Sequence, residues 1–218
     1  MATIDAVLFD LDGTLIDTNE IIITSYLHAF HTCLPEVSID RQTIIDAIGP
    51  PLHDTFARYT NSEALIKQCM QTYREYYMAH EHECFELYPG VIETLQWLRQ
   101  RRIKTAIVTT KFKAAALPSM QHFGIDRLVD AMISLDDVDH PKPDKEPVTK
   151  ALMALHPVNQ AIMVGDNQSD ILAGQAAGTL TAGVAWSIHG PHHFDAVAPD
   201  FMLEKLSDLQ TILKMKGR

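Results

Sequence analysis

Short apolar runs rich in β-branched residues recur along the chain, and helical patterns separate them. The runs that predict strands are IDAVLF (4–9), KTAIVT (104–109), DAMIS (130–134), AIMVG (161–165) and TLTAGVAW (179–186). Runs of this kind are typical of strands that are buried on both faces of a sheet. The segments that predict helices between them are 93–102, 112–124, 145–155 and 169–178. Strands alternating with helices predict an α/β fold with a parallel sheet and helices on both of its faces.

After the first predicted strand the alternation stops, and residues 18 to 84 show only helical patterns. Asp17, followed three residues later by Glu20, predicts a capped helix start at the entry to this region. The segment ELYPGV (86–91) marks its exit. We therefore expect two domains, a core formed by residues 1–17 and 86–218 and an all-helical cap formed by residues 18–85.

Composition limits the possible partners. The formal net charge is −10 and 46% of the residues are hydrophobic. Nucleic acids and anionic membranes both require basic surfaces, so neither is expected as a partner. The amino-terminal segment has no basic region followed by an apolar one, no apolar run is long enough to span a bilayer, and the three cysteines have no metal-ligand spacing. These features predict a soluble cytoplasmic protein with free thiols.

The first predicted strand ends in two aspartates, in the segment Asp10-Leu11-Asp12-Gly13-Thr14. Side chains two positions apart in a strand face the same side. Ligands of open parallel sheets bind at the carboxyl ends of the strands. We therefore expect Asp10 and Asp12 to face a binding crevice together.

Other predicted strands also end in polar residues suited to chemistry. The second ends in Thr109 and Thr110, which provide a hydroxyl and backbone amides ahead of a helix. The fourth runs into Asp166, with Asp170 on the first turn of the next helix, where the helix dipole favours negative charge. Lys142 stands in a proline-rich loop, HPKPDKEP, ahead of another helix.

This set of residues indicates phosphoryl transfer. Asp10, Asp12 and Asp166 supply hard oxygen atoms, and Mg²⁺ is the cation that such oxygens bind. A metal beside a hydroxyl, amides and a lysine can neutralise the oxygens of a phosphoryl group. One carboxylate can then attack phosphorus to form an aspartyl phosphate, while a second transfers protons to the leaving group and from water.

Four segments, FDLDGTLID, IVTTK, PKPD and VGDNQSD, resemble the four motifs of the haloacid dehalogenase superfamily in the order that it uses. The resemblance extends over essentially the whole chain and implies a Rossmann-like core with a helical type-one cap. It implies that Asp10 is the nucleophile and that Asp12 is the general acid/base, with its backbone carbonyl on the metal. The resemblance further implies that Thr109, Thr110 and Lys142 bind phosphate and that Asp166 binds Mg²⁺. It also implies that Asp170 supports the metal waters or Lys142.

Differences between this sequence and other branches of the superfamily limit the reactions that it is expected to catalyse. Dehalogenases lack an aspartate at the position of Asp12 and use no Mg²⁺. Sugar-phosphate mutases resemble this chain after the first motif, but they carry a histidine where Ile22 stands and a serine–arginine pair near Gly49. A phosphatase is therefore favoured over a dehalogenase or a mutase.

Longer segments resemble the bacterial inorganic pyrophosphatases that are linked to HPr serine kinase/phosphorylase. These are AIGPPLHDTF, SLDDVDHPKPDKEPV and GTLTAGVAWSIHG. The resemblance implies pyrophosphate as the substrate and that kinase as a functional partner, with phosphoglycolate or a broad range of small phosphomonoesters as the alternative. His53 and Lys111 are candidates for holding the leaving phosphate, and the oligomeric state stays open.

The sequence disfavours two functions of other classes. A phosphoacceptor signalling module uses a similar set of residues on a doubly wound sheet, but such modules are much shorter and have no helical cap. A catalytically inactive scaffold is disfavoured because no residue of the four motifs is missing.

Overall fold

The computed structural model describes the backbone of residues 4–216, and the side chains of this range except those of residues 81–84, 191, 215 and 216. The chain divides into two compact units, one of Met1–Ile16 with Leu87–Arg218 and one of Asp17–Glu86. The two junctions expected from the sequence, after residues 17 and 85, differ from these by one residue each. Of the cysteines, Cys33 and Cys69 are free thiols, and the side chain of Cys84 lies outside the described residues.

The larger unit is built on a parallel sheet. The strands of the chain are β1 (Ala6–Phe9), β2 (Ile16–Asp17), β3 (Glu86–Leu87), β4 (Lys104–Val108), β5 (Ala131–Ile133), β6 (Ala161–Gly165), β7 (Leu180–Val184) and β8 (Phe201–Leu203). Within the described residues, six of them form one sheet in the order β5-β4-β1-β6-β7-β8, and every neighbouring pair is parallel. The short strands β2 and β3 pair separately, where the chain passes between the two units. The predicted α/β fold with a Rossmann-like parallel sheet is confirmed, and β8 is a strand that the sequence pattern did not predict.

Strand order places a ligand-binding crevice at one point of this sheet. The chain moves outward from β1 to β4 and β5, and then returns to the other side of β1 to form β6, β7 and β8. The direction of winding therefore reverses between β1 and β6, and open parallel sheets bind ligands at such a reversal, outside the carboxyl ends of the strands. In the register of the sheet, Phe9 at the end of β1 lies opposite Ile107 of β4 and Val164 of β6. The residues that follow Phe9, Ile107 and Val164 therefore lie at the same edge of the sheet.

Helices cover the sheet and bury its strands. The α-helices of the chain are α1 (Asn19–Cys33), α2 (Arg41–Ala47), α3 (Leu52–Phe56), α4 (Glu63–Cys84), α5 (Val91–Gln100), α6 (Lys113–Phe123), α7 (Glu146–Ala154), α8 (Gln168–Ala176) and α9 (Leu209–Lys216). All four residues of β1 are fully buried. On one face, Leu8 packs in a cluster with Val108 of β4, Met163 of β6 and Val148 of α7. Burying aliphatic side chains stabilises the fold by about 1.5–3 kcal/mol each, and it fixes the strand ends that carry the polar residues.

The smaller unit is helical, and aromatic side chains form much of its interior. Tyr26 of α1 lies 4.8 Å from Tyr73 of α4 between ring centroids, and Phe30 lies 5.2 Å from Phe56 of α3. The N-terminus of α1 differs from the prediction by one residue. The N-cap position is Thr18, and Asp17 instead accepts a hydrogen bond from the amide of Asn19 (3.2 Å).

Among the described residues, no helix combines the length and the hydrophobicity that crossing a lipid bilayer requires.

Candidate active site

Asp10 is the first residue after β1, at the reversal of strand order. Its amide donates a hydrogen bond to the carbonyl of Val164 in β6 (2.9 Å), so the backbone is held against the neighbouring strand although regular pairing has ended. The residue is only 7% exposed. The position of Asp10 is thus fixed by the sheet and not by a flexible loop.

Lys142 connects the ends of three elements. Its Nζ donates to Oδ1 of Asp10 (2.6 Å), to Oδ1 of Asp170 on α8 (2.6 Å) and to the backbone carbonyl of Val108 in β4 (2.8 Å). An ammonium group has three protons, and these three acceptors use all of them. The lysine is therefore buried at 3% exposure with its hydrogen-bonding capacity satisfied.

The loop that carries Lys142 is tied to the helix that follows it. The carboxylate of Glu146, at the start of α7, accepts hydrogen bonds from the amides of Asp139 (3.1 Å) and His140 (2.8 Å). The side chain of Asp144 accepts from the amide of Glu146 (2.8 Å). These bonds close the loop on both sides of Lys142 and hold its backbone in place.

Asp166 follows β6 and lies beside the turn after β1. Its Oδ1 accepts a hydrogen bond from the hydroxyl of Thr14 (3.0 Å), and both side chains are buried. Gly13 of the same turn has a φ of +81°, and a Cβ built there would lie 2.4 Å from Oδ2 of Asp166. Only glycine both adopts this backbone conformation readily and leaves the carboxylate its space.

Asp170 is held at the first turn of α8 by a capping box. Its Oδ2 accepts from the amide of Asn167 (3.0 Å), while the Asn167 side chain accepts from the amide of Ser169 (3.1 Å). A Cβ at Gly165 would lie 2.2 Å from Oδ2 of Asp170, so the last residue of β6 must also be small. With Oδ1 on Lys142, the carboxylate has a hydrogen-bond donor at each oxygen.

The three aspartates are brought close together in a buried space. One carboxylate oxygen from each of Asp10, Asp166 and Asp170 lies within 4.8 Å of the others. Burial raises the pKa of Asp10 to about 7, against the lowering effect of Lys142 and with further raising by Asp170 and Asp12. Burial, followed by the charges of Asp10 and Asp170, raises the pKa of Asp166 well above its usual value.

The same surroundings favour the charged form of Lys142. Burial by itself would lower its pKa, but the neighbouring carboxylates of Asp10 and Asp170 outweigh that effect and hold the pKa above its ordinary value. The ammonium group of Lys142 therefore lies among three buried carboxylates, and two of them, those of Asp10 and Asp166, are costly to ionise. Closely spaced hard oxygens with too little positive charge around them fit a divalent cation of the Mg²⁺ type.

The predicted phosphate-binding residues lie after β4. The amide of Thr109 donates to the carbonyl of Ile133 (2.9 Å), and its hydroxyl accepts from the amide of Lys111 (3.1 Å), which leaves the hydroxyl proton available for another acceptor. Thr110 follows and is partly buried. Lys111 donates to Oδ1 of Asp12 (3.2 Å) and lies 3.3 Å from the hydroxyl of Ser119.

The structure brings together most of the residues that the sequence predicted for the site. Asp10, Lys142, Asp166 and Asp170 form one hydrogen-bonded and electrostatic cluster. The Asp12 carboxylate lies outside the group of three that is suited to a metal and pairs with Lys111. The predicted contact of the Asp12 backbone carbonyl with a metal stays a prediction.

His53 belongs to the helical unit. It is an exposed residue of α3, with Asp54 and Glu63 each 3.3 Å from one of its ring nitrogens, and these pairings raise its pKa. Its predicted role in holding substrate is not tested by these contacts and stays a prediction.

Sequence reasoning assigned no role to two features beside the cluster. Thr14 orients Asp166, and its position directly after Gly13 in the first motif is a signal that could have identified it. The imidazoles of His189 and His193 stack at 4.2 Å, and Nε2 of His193 accepts from the amide of Gln168 (3.3 Å). No sequence pattern placed these histidines next to α8.

Comparisons with known proteins agree with this geometry. Residues 7–184 match the haloacid dehalogenase-like hydrolase family. The chain is 44% identical over 216 residues to a protein of Bacillus cereus (strain ATCC 10987 / NRS 248) named pyrophosphatase PpaX, with 99% of each chain covered. A PpaX of Bacillus anthracis is 43% identical over the same length and coverage.

Solved structures show the same fold over the same extent. A haloacid dehalogenase-like hydrolase of Streptococcus pneumoniae is 28% identical with a TM-score of 0.83, over 97% of this chain and 99% of that one. A protein described as a predicted phosphoglycolate phosphatase, of Haemophilus somnus 129pt, is 25% identical with a TM-score of 0.85 at the same coverage. On its family match, its whole-length relatives and its fold, this chain belongs to the haloacid dehalogenase-like hydrolases.

Proposed function

We propose that the protein is a Mg²⁺-dependent phosphatase that hydrolyses inorganic pyrophosphate to two phosphate ions through an aspartyl phosphate on Asp10. One observation carries the chemistry: Asp10, Asp166 and Asp170 lie buried around the single ammonium group of Lys142, at the reversal of strand order. An arrangement with excess buried negative charge attracts a cation, and the cation together with Lys142 attracts a phosphate.

The metal-holding residues in this proposal are Asp10 and Asp166, together with the backbone carbonyl of Asp12. When bound, Mg²⁺ supplies positive charge for the oxygens of the transferred phosphoryl group. Asp170 acts through its neighbours, because both of its oxygens already accept hydrogen bonds, from Lys142 and from the amide of Asn167.

Asp10 is the nucleophile in this proposal. The hydrogen bond from Lys142 to Oδ1 fixes the rotation of the carboxylate and keeps positive charge beside it. A carboxylate oxygen of Asp10 forms a bond to phosphorus while the bond from phosphorus to the leaving oxygen breaks. Water then attacks the same phosphorus, and the bond to Asp10 breaks to restore the carboxylate.

Proton transfer falls to Asp12. It gives a proton to the leaving oxygen in the first step and takes one from the attacking water in the second. Lys111, 3.2 Å from Oδ1 of Asp12, restrains the orientation of this side chain. The hydroxyl of Thr109 accepts a hydrogen bond from the amide of Lys111 and donates its own proton to a phosphoryl oxygen. The amide of Thr110 donates to a phosphoryl oxygen as well.

Pyrophosphate is favoured as the substrate by sequence similarity over the whole chain. The relatives named pyrophosphatase PpaX are 43–44% identical with 99% coverage. The alternative is phosphoglycolate or a broad range of small phosphomonoesters, which the similarity to a structure described as a phosphoglycolate phosphatase supports at 25% identity. A functional link to HPr serine kinase/phosphorylase forms part of the proposal only through the resemblance of sequence.

A panel of substrates tests this proposal. Phosphate release is measured with Mg²⁺ from pyrophosphate, phosphoglycolate, glucose 1-phosphate and p-nitrophenyl phosphate, with the Asp10→Asn variant as the inactive reference. We expect kcat/KM for pyrophosphate to exceed the others by at least about 100-fold, because specificity of this size requires substrate-specific contacts. A preference for phosphoglycolate, or equal rates on all four, would retire the pyrophosphatase assignment and leave the mechanism intact. Turnover without added divalent cation, in the presence of a chelator, would contradict the mechanism.

A further inference from the structure

A second recess lies at the opposite end of the sheet from Asp10. It has a volume of about 280 Å³. Ile4 precedes β1 and Ile103 precedes β4, and both line the recess together with Leu213 of α9. In a parallel sheet these positions mark the amino ends of the strands, whereas Asp10 and Asp166 mark the carboxyl ends. The recess is thus separate from the candidate active site and has an apolar floor.

Positive charge surrounds this floor. Arg101, Arg102 and Lys214 line the recess, in a chain whose formal net charge is −10. Among the side chains that the structure describes, no carboxylate forms an ion pair with any of the three. Asp5 also lines the recess, but its carboxylate accepts hydrogen bonds from the backbone amide (3.0 Å) and side-chain amide (2.6 Å) of Asn159. The local charge is therefore positive, and an anion would be attracted to it.

An aromatic side chain forms one wall. The guanidinium carbon of Arg101 lies over the indole of Trp97, 4.0 Å from the ring centroid, and Nζ of Lys214 lies 5.9 Å from the same ring. A guanidinium group that is stacked on an indole is held flat and keeps its edge donors for a ligand. This wall provides a planar surface with positive charge at its border.

Arg102 occupies a backbone position that favours glycine. It has a φ of +57° and follows α5, where its amide donates to the carbonyl of Arg99 (3.0 Å) and the amide of Ile103 donates to that of Leu98 (3.1 Å). These two bonds form a Schellman motif, whose left-handed residue is usually glycine. An arginine in this conformation destabilises the fold more than a glycine would. This strained residue is also one whose side chain lines the recess.

We propose that this recess binds a small organic phosphate with a planar ring, of the nucleoside monophosphate class. The ring lies against the flat wall formed by Trp97 and Arg101, and the phosphate is held by Arg102 and Lys214. Apolar surface with a few well-placed charged groups is the usual composition of a small-molecule site, and arginine forks bind phosphate oxygens two at a time. The site is independent of the hydrolytic reaction, and its occupation does not require Asp10.

Binding is measured through the fluorescence of Trp97. The chain has two tryptophans, so the Trp186→Phe variant of the full-length protein leaves Trp97 as the single reporter. The probes are adenosine 5′-monophosphate, inorganic phosphate and adenosine, each titrated without Mg²⁺. We expect the monophosphate to change the fluorescence saturably with a Kd of about 1 mM or lower, and both fragments to bind at least about tenfold more weakly.

Arg102→Gly is the decisive variant, because glycine suits the left-handed backbone and the protein stays folded. We expect it to weaken binding of the monophosphate at least about fivefold without lowering the unfolding temperature. Lys67→Gln removes the same charge from an exposed residue of the helical unit and should leave binding unchanged. Failure of the monophosphate to bind, equal binding of inorganic phosphate, or unchanged binding in both Arg102→Gly and Lys214→Gln would each overturn the proposal.

Discussion

The two ends of one parallel sheet carry opposite imbalances of charge. At the carboxyl end, three aspartates that are at most 7% exposed lie around the ammonium group of Lys142. At the amino end, Arg101, Arg102 and Lys214 surround a recess and pair with no carboxylate among the described side chains. The first excess is buried, and the second is at the surface, where all three cations are exposed.

The degree of burial determines how strongly each charge imbalance indicates a ligand or a reaction. Uncompensated charge in the interior costs several kcal/mol per group, so the buried carboxylates at the carboxyl end favour a bound cation. Charge at the surface is screened by water and salt and costs little. The carboxyl end therefore supports a full catalytic proposal, while the amino end supports a binding site that rests on its shape, its aromatic wall and the backbone of Arg102.

The largest expected effect comes from Asp10→Asn, which removes the proposed nucleophile and keeps the shape of the side chain. Turnover should fall by at least about 1,000-fold, as is usual when a covalent nucleophile is lost. Stability should change in the opposite direction, because the folded protein holds the Asp10 pKa at about 7, above the unfolded value of about 3.9. Between these values the folded state binds more protons than the unfolded state, so stability without divalent cations falls as pH rises from about 4 to about 7.

Asparagine carries no such pH dependence. The Asp10→Asn variant should therefore unfold at a higher temperature than the parent at pH 7 without Mg²⁺, and the difference should shrink toward pH 4. Asp195→Asn, at an exposed aspartate of the same unit, is the matched control and should alter neither activity nor stability. Retention of a tenth or more of the parent activity (about 1.4 kcal/mol of barrier) would refute the nucleophile assignment.

Lys142→Met tests the other side of the same cluster. Removing the ammonium group that bonds to both Asp10 and Asp170 leaves buried carboxylates uncompensated, so the free energy of unfolding at pH 7 should fall by about 3–5 kcal/mol. The pKa values of Asp10 and Asp166 are already raised, so these groups take up protons in the folded state as pH falls. The loss should accordingly be smaller at pH 5 than at pH 7 in urea denaturation. Equal losses at both values would show that packing, and not charge, is responsible.

Gly13→Ala separates steric contact from backbone strain. The added Cβ would lie 2.4 Å from Oδ2 of Asp166 at a φ of +81°. Strain of this kind costs about 1–3 kcal/mol, and displacement of Asp166 should raise the Mg²⁺ concentration needed for half-maximal activity. Gly124→Ala is the control, since Gly124 has a φ of +72° but nothing lies within 4 Å of the added atom. An equal change in Mg²⁺ requirement for the two variants would remove Asp166 from the metal site.

Local motifs predicted which residues lie together at the site, because most of the motifs end a strand and parallel strands end together. Asp10, Asp166 and Asp170 could be placed at one edge from the pattern of buried strands alone. The hydrogen-bond acceptors of Lys142 could not be predicted from the strand pattern. Its backbone lies in a loop whose path depends on hydrogen bonds from the amides of Asp139 and His140 to the carboxylate of Glu146.

Short or tertiary features escaped the sequence pattern. The strand β8 has three residues at the edge of the sheet, too few for a periodicity to be read. The structure shows the ammonium of Lys111 beside Asp12 and Ser119, contacts that its spacing in the sequence does not encode, and its predicted contact with substrate stays a prediction. The start of α1 was misplaced by one residue because Asp17 and Thr18 are both capable of capping a helix.

The smallest expected effect concerns the amino end and tests whether Arg102 is retained against its backbone preference. Arg102→Gly relieves a left-handed residue but increases the freedom of the unfolded chain, so the free energy of unfolding should rise by at most about 1 kcal/mol. Arg101→Gly is the matched comparison, because Arg101 has a φ of −94° that any residue adopts, so glycine there relieves no strain, adds disorder to the unfolded state and removes the stacking on Trp97. Thermal unfolding of the two variants should therefore shift in opposite directions, upward for Arg102→Gly and downward for Arg101→Gly. Equal downward shifts would mean that the left-handed backbone at Arg102 carries no cost, and the argument that its side chain is kept there for a ligand would lose its energetic basis.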